Sequence, residues 1–303
     1  MRGISVISAA SVSNSKRRFI GQKIGLTAAL LNAMYLPLGL AATSKRRLVS
    51  IGGGLTEIVY ALGAEADLVG VDTTSLFPAQ ATKLPSVGYA RALSLEGVLS
   101  LTPTQVIATE DAGPPAVVRE INKAGVPLAT LTSNHQFEGL LDRIQRVGAL
   151  TDRQQNASQL VKKLQGEWPS IQKRIASRNR QSLRILFVLA HTTNQVMVAG
   201  QNTSAEAMIH YVGASNAITG FTGYKPITPE AVVAAQPDII LLTEQGLSAF
   251  GSLSNVMKLS GLQQTPAGRK QRIVSMEAMY LLGFGPRLLG AITELDSLLV
   301  KLQ

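Results

Sequence analysis

The residues best placed to do chemistry are a tyrosine and an arginine two positions apart, Tyr89 and Arg91, in the polar stretch SVGYARALSLEG (residues 86–97). On an extended segment, residues two apart point to the same side. A phenol oxygen and a guanidinium can therefore face one space. Because an adjacent cation favours the charged form of a phenol, the pair is a candidate anionic oxygen donor.

Other nucleophilic or metal-binding side chains are scarce. The chain has no cysteine, which excludes disulfides, cysteine-based zinc sites, iron–sulfur clusters, thiol catalysis and a lipid on an N-terminal cysteine. One of the three histidines, His191, follows the strand-like run LRILFVLA (183–190). Ligands in open α/β sheets bind outside the carboxyl ends of strands. We therefore expect His191 at the edge of a binding cleft, with an exposed loop position as the alternative.

Catalytic motifs are weak. SIGGG (50–54) precedes a helical pattern, but it lacks the G-x-G-x-x-G spacing and the acidic residue of a dinucleotide site. The sequence has no G-x-S-x-G elbow. We expect a protein that is not an enzyme.

Length and composition are those of a globular protein of one large or two ordinary domains. The chain has 303 residues, 46% hydrophobic and 16% charged, with a formal net charge of +10. Half of that excess lies in residues 1–41, which hold basic residues and no acidic ones. The mild remaining charge and the absence of a basic helix with interleaved aromatics argue against nucleic-acid binding.

Residues 1–41 have the pattern of an export signal. The basic segment SNSKRRFIGQK (13–23) precedes the apolar segment IGLTAALLNAMYLPLGLAA (24–42), which ends in small residues. A transmembrane anchor is the alternative, but Asn32 and Pro37 interrupt the apolar run. We predict a cleaved signal peptide over 1–41 and a periplasmic protein, exported by the general or the twin-arginine route.

The rest of the chain alternates strand and helix patterns in two halves. Residues 47–150 and 182–303 each contain apolar strand-like runs, glycine turns and amphipathic helices. Residues 151–181 form one long polar helical pattern that contains Pro169. We predict an α/β fold with two Rossmann-like lobes and central parallel sheets, joined by one long rigid helix.

Three motifs give this chain a family resemblance: RLVSIGGGLTEIVYALG, GYARALSLEGVLSLTPTQVIAT and GYKPITPEAVVAAQPDIILL. Together they resemble the helical-backbone solute-binding proteins of ABC importers, and most closely the branch that binds haem in the periplasm. The resemblance implies that Tyr89 is an axial iron ligand, a role for which tyrosinate suits ferric haem. It implies that Arg91 supports the phenolate or meets a propionate.

Further roles follow only from the resemblance. His191 would bind the iron of a second, stacked haem, and Tyr280 would hydrogen-bond a propionate. Glu57 would be a surface glutamate that docks on the inner-membrane permease, which works with an ATPase. In the second lobe Glu206 is the nearest candidate for the same role, although His210 aligns more directly with that position. We expect a monomer. Iron-siderophores and cobalamin are the alternative ligands, and a haem-dependent enzyme is the less expected alternative.

Overall fold

The computed structural model of the chain describes residues 46–190 and 196–302. The predicted signal peptide and His191 lie outside these residues. Within the described ranges, no helix combines the length and the apolar character that crossing a membrane requires.

The first lobe, residues 46–150, alternates strands and helices around a four-stranded sheet. All pairs in that sheet are parallel, in the order β2-β1-β5-β6, while β3 and β4 form a separate hairpin. Helices cover the sheet, and the LVSI segment of β1 is therefore apolar and buried along its whole length. The elements are β1 Leu48–Ile51, α1 Gly53–Ala61, β2 Leu68–Val71, β3 Gly88–Tyr89, β4 Ala92–Leu93, α2 Leu95–Ser100, β5 Gln105–Thr109, α3 Pro115–Lys123, β6 Leu128–Leu131 and α4 Phe137–Leu150.

The connecting helix α5 spans Gln154–Ala176 and leads to the second lobe, residues 182–302. There the sheet order is β10-β8-β7-β11-β12, with β9 also paired to β7. The elements are β7 Arg184–Ala190, β8 Val196–Ala199, α6 Ser204–Tyr211, β9 Ser215–Asn216, β10 Tyr224–Lys225, α7 Pro229–Ala235, β11 Ile239–Thr243, α8 Glu244–Phe250, α9 Leu253–Val256, α10 Pro266–Arg269, β12 Ile273–Met276, α11 Ala278–Leu282 and α12 Leu288–Lys301.

The two lobes repeat one topology, which confirms the predicted fold class. The parallel order β9-β7-β11-β12 of the second lobe matches β2-β1-β5-β6 of the first. The second sheet is mixed rather than purely parallel, because β8 pairs antiparallel with both β7 and β10. Short period-two segments such as β8 do not reveal from sequence whether they run with or against their neighbours.

Helix α5 continues through Pro169 as one element and packs against α4 of the first lobe and α12 of the second. Its buried side chains, Val161, Leu164, Ile171 and Ile175, belong to a core that both lobes share. Trp168 stacks on the Phe137 ring at 5.0 Å and meets the Tyr211 ring edge-on at 5.5 Å. The lobes are therefore joined by packed side chains as well as by the chain itself.

The helices that follow β1 and β12 meet where the two lobes pack together. Gly54, just after β1, packs directly on the backbone at Gly283, and any side chain at Gly54 would collide with the Gly283 carbonyl. Arg143 of α4 donates to the Phe284 carbonyl at 2.7 Å, and the Phe137 amide donates to the Tyr211 hydroxyl at 2.7 Å. Proteins with open α/β sheets bind their ligands in a crevice outside the carboxyl ends of the strands, so we expect a ligand between the two lobes.

Candidate ligand-binding site

The hairpin of β3 and β4 carries Tyr89 and Arg91 at the rim of the first lobe. Gly88 begins the hairpin with φ 97°, a conformation that favours glycine. The Thr73 amide donates to the Gly88 carbonyl at 2.9 Å, which ties the hairpin to the loop after β2. Two more backbone bonds of 2.8 Å link the carbonyl of Ala90 and the amide of Leu93 to Gly113. The hairpin is thus fixed to the sheet on two sides.

The structure brings the Tyr89 and Arg91 side chains together. The Tyr89 ring is 43% exposed, and Arg91 Nη1 lies 3.4 Å from the Tyr89 hydroxyl. Tyr89 is therefore both exposed and beside a positive charge.

Arg91 has an acidic partner, Asp111, which the sequence analysis did not predict. Asp111 Oδ2 accepts from Arg91 Nε at 2.8 Å and forms an ion pair with Nη2 at 2.6 Å. Burial opposes the charge of Asp111, but hydrogen bonds from Thr109 and Arg91 outweigh it and hold the pKa of this carboxyl below its usual value. Burial likewise works against the charged Arg91, and the Asp111 partner raises the arginine pKa above its ordinary value. The signal for Asp111 was its place just after β5, at the carboxyl end of a strand.

Tyr224 of β10 occupies the corresponding position in the second lobe. Its hydroxyl lies 3.2 Å from the Ser204 hydroxyl, and burial raises the pKa of Tyr224. The charge of Arg91 acts in the opposite direction on the same pKa, so the two side chains are in electrostatic reach of each other. Next to it, the Lys225 ammonium lies over the Phe221 ring at 5.3 Å.

Tyr280 lies in a different contact group. Its ring is 4.8 Å from the Arg287 guanidinium, and its hydroxyl approaches Gly290 of α12 closely. Burial raises the pKa of Tyr280. No hydrogen bond among the described residues joins its hydroxyl to Tyr89, Arg91 or Asp111, and its contact with a propionate stays a prediction.

The expectation of Glu57 as a surface glutamate is wrong. Glu57 is 5% exposed, and both its oxygens accept from Arg287, at 2.9 and 2.6 Å. Burial raises the pKa of Glu57 even though Arg287 acts to lower it. The Arg287 guanidinium in turn stacks on the Phe77 ring at 3.8 Å. The side chain faces inward because its partner, far along the sequence, lies at the junction of the lobes.

Glu206 is engaged in its own helix. It is partly exposed, and its carboxylate accepts from the Asn202 amide at 2.6 Å, while Thr203 accepts from the Glu206 amide at 3.1 Å. The two side chains together satisfy two backbone amides at the start of α6, in an arrangement close to a capping box. Its docking role stays a prediction.

Two other glutamates, which the sequence reading did not single out, are fully at the surface and equivalent in the two lobes. Glu96 and Glu230 are the second residues of α2 and α7. Each helix begins at a capping hydroxyl, Ser94 or Thr228, whose oxygen accepts from an amide in the first turn. The signal was in the sequence: GYARALSLEGVLS and GYKPITPEAVVAA share a Gly-Tyr step followed by a Ser/Thr-x-Glu helix start.

Comparisons with known proteins agree with this architecture. Residues 48–280 match the model of a family described as periplasmic binding protein. The periplasmic heme-binding protein BhuT, solved with two hemes, is 42% identical, with a TM-score of 0.80 over 85% of this chain and 98% of its own. The apo form of the periplasmic heme-binding protein RhuT from Roseiflexus sp. RS-1 is 38% identical, with a TM-score of 0.80 over 85% and 99%.

Curated relatives are more distant. The uncharacterized ABC transporter substrate-binding lipoprotein YvrC of Bacillus subtilis (strain 168) is 27% identical, over 82% of this chain and 78% of its own. A vitamin B12-binding protein of Vibrio parahaemolyticus is 23% identical, over 86% and 94%. The family match and the long, high-identity alignments lead to one conclusion: the chain belongs to the periplasmic binding protein family.

Proposed function

We propose that the protein captures ferric haem in the crevice between its lobes and delivers it to an ABC permease for import. The observation that carries this proposal is the exposed Tyr89 phenol beside Arg91, on a hairpin fixed to the first lobe. A phenolate is an anionic oxygen donor suited to ferric iron. Solved relatives that are heme-binding proteins, at 38% and 42% identity, support the same ligand.

Binding requires Tyr89 to lose its phenolic proton as its oxygen meets the iron. Arg91 Nη1 stands where it would stabilise the negative oxygen, through charge and through a hydrogen bond that shortens once the oxygen is anionic. The porphyrin would lie between the lobes, with Tyr224 on the opposite wall. Haem here is cargo, so the site must bind it firmly and still release it at the membrane.

A titration of the purified mature protein tests the proposal. Ferric hemin should saturate the protein and give the absorption spectrum of tyrosinate-ligated iron. Iron-free protoporphyrin IX, which has the same ring and carboxylates, is the matched control and should bind far more weakly, because the Tyr89 oxygen then has no metal to bond. Equal affinity for the two porphyrins would overturn the iron–tyrosinate assignment.

The same assay separates the alternative ligands. Cyanocobalamin and a ferric siderophore carry metals whose coordination sites are already filled, so a free phenolate has no role toward them. Micromolar binding of either, with no hemin binding, would replace haem as the cargo. Peroxidase turnover by the hemin complex would point instead to a haem-dependent enzyme.

A second haem is a further part of the proposal. BhuT was solved with two hemes, and His191 of this chain is the residue we assign to a second iron. A hemin titration of the native protein should end at two equivalents, and one of His191→Ala at one. An endpoint of one for the native protein would remove this role.

We assign permease docking to Glu96 and Glu230 in place of Glu57. Both carboxylates are exposed, lie at equivalent helix starts and sit on different lobes, as a permease with two contact points would require. Glu206 is the remaining sequence-based candidate. Docking from the periplasm also requires export, and the mass of the exported protein should show a new N-terminus near residue 42, with size-exclusion chromatography showing a monomer.

A further inference from the structure

We propose that Asp111 is the positioning residue for the iron ligand: it holds Arg91 in the orientation that presents one N–H to the Tyr89 oxygen. This inference deepens the proposed function and rests on it. Asp111 does not touch the iron or the phenol, and acts through Arg91.

The geometry assigns each edge of the guanidinium a separate partner. Arg91 Nε donates to Asp111 Oδ2 at 2.8 Å and Nη2 lies 2.6 Å from the same oxygen in an ion pair, while Nη1 lies 3.4 Å from the Tyr89 hydroxyl. Because the guanidinium is planar and rigid, fixing the Nε–Nη2 edge fixes the direction of Nη1. Without Asp111, the arginine side chain is flexible and Nη1 would have no fixed direction.

The backbone holds Asp111 in place relative to the hairpin. The Gly113 amide donates to the Ala90 carbonyl and the Leu93 amide donates to the Gly113 carbonyl, both at 2.8 Å, on either side of Arg91. Thr109, the last residue of β5, stands two residues before Asp111 and helps to lower the pKa of its carboxyl. The loop after β5 is therefore bonded to the hairpin, and this loop carries Asp111.

This arrangement decides between two roles for Arg91. A propionate prefers the two-pronged edge of an arginine, and Asp111 already fills that edge. Arg91 is left with the Nη1 side, which suits a single hydrogen bond to the iron-bound phenolate oxygen. Arg91 therefore stabilises the ligand rather than anchoring a propionate.

The test compares Asp111→Ala with Asp111→Asn, since asparagine keeps an oxygen that can accept from Arg91. Asp111→Ala should weaken hemin binding by about 10-fold, the size typical of partners that orient a metal ligand, and should shift the iron–tyrosinate charge-transfer band. Asp111→Asn should stay within about 2-fold of the native protein. In an Arg91→Ala background, Asp111→Ala should have no further effect on affinity.

Equal losses in the alanine and asparagine variants, or a loss that persists without Arg91, would overturn the proposal. A second readout needs no haem: the Arg91 Nε–H resonance in apoprotein NMR should be protected from exchange and lose that protection in Asp111→Ala. An unprotected resonance in the native protein refutes positioning by Asp111. Failure to bind hemin with a protected resonance would instead refute the proposed function, so the two failures are distinguishable.

Discussion

The two lobes present the same backbone turn with different consequences for its tyrosine. In each, a glycine at positive φ, Gly88 or Gly223, precedes a tyrosine on a short edge strand. Tyr89 projects outward beside an ion pair, whereas Tyr224 is mostly buried and rests on Ser204. The repeat thus provides two similar positions, and the local neighbours determine which phenol is available to a ligand.

The strongest way to break this comparison is to remove each phenol oxygen in turn. Tyr89→Phe should weaken hemin binding by ~100-fold or more, about 2.7 kcal/mol, because the iron loses its protein ligand. Tyr224→Phe, the matched control on the opposite lobe, should lose less than ~3-fold, because its hydroxyl is engaged with Ser204. Hemin titrations followed by absorbance measure both. A larger loss in Tyr224→Phe would reverse the assignment of the lobes.

A second comparison concerns two ion pairs: the Glu57–Arg287 pair between the lobes and the exposed Arg91–Asp111 pair within the first lobe. Arg287→Ala leaves the Glu57 carboxylate buried without its partner and should lower the free energy of unfolding by about 2 kcal/mol at pH 7. Arg91→Ala removes one member of an exposed pair and should cost less than about 1 kcal/mol. Urea unfolding of the two variants measures the difference.

The pH dependence of the Arg287→Ala deficit provides its control. Burial raises the pKa of Glu57, and the loss of Arg287 removes an effect that lowers it. The folded variant therefore takes up a proton more readily than the unfolded chain, and its stability deficit should shrink as the pH falls from 7 toward 5. A deficit that grows over this range would show that Glu57 is not its source.

Local features of the fold and site could be predicted from sequence, whereas long-range partners could not. The strand–turn–helix alternation depends on residues that are close along the chain, and so does the Tyr89–Arg91 spacing. Asp111 reaches Arg91 because the Gly113 backbone bonds to Ala90 and Leu93 of the hairpin, a contact that no local pattern specifies. The family resemblance implied a surface position for Glu57, and no local pattern reveals the arginine that buries it, which lies 230 residues away.

The equivalent positions of Glu96 and Glu230 in the two lobes lead to a prediction about binding to the permease rather than about hemin binding. Glu96→Lys or Glu230→Lys should weaken binding of the loaded protein to its permease by about 10-fold each, since each places a like charge where a carboxylate would meet a cationic partner. Hemin affinity should be unchanged, because neither side chain contacts Tyr89 or Arg91. Pull-down and hemin transport with the permease in proteoliposomes measure this effect.

Glu206→Lys is the control for the docking surface. Its carboxylate caps α6, so reversal should lower the stability of the second lobe without matching the transport loss of the other two. If Glu206→Lys alone abolished permease binding, the equivalence of the two helix starts would have no functional meaning.

The smallest effect concerns a feature with no counterpart in the first lobe, the Asp296 carboxylate of α12. It is 1% exposed and contacts Arg174, Arg178 and Arg180 at 3.5, 3.1 and 2.6 Å. Burial opposes its charge, but hydrogen bonds from Arg178 and Arg180 outweigh that effect and lower the pKa of Asp296. In the first lobe, the buried Asp72 instead accepts from neutral donors, among them the Gly52 amide at 2.9 Å.

Arg178→Gln should therefore lower the free energy of unfolding by about 1 kcal/mol at pH 7, where Asp296 is charged. A carboxyl whose folded pKa is lowered contributes stability above its unfolded pKa and loses it as the pH falls. The difference between native and variant proteins should accordingly be smaller at pH 3 than at pH 7. Lys173→Gln, a neighbouring change on α5, should show no such difference at either pH. A deficit that persists undiminished at pH 3 would mean that Arg178 stabilises the second lobe through packing rather than through the Asp296 charge.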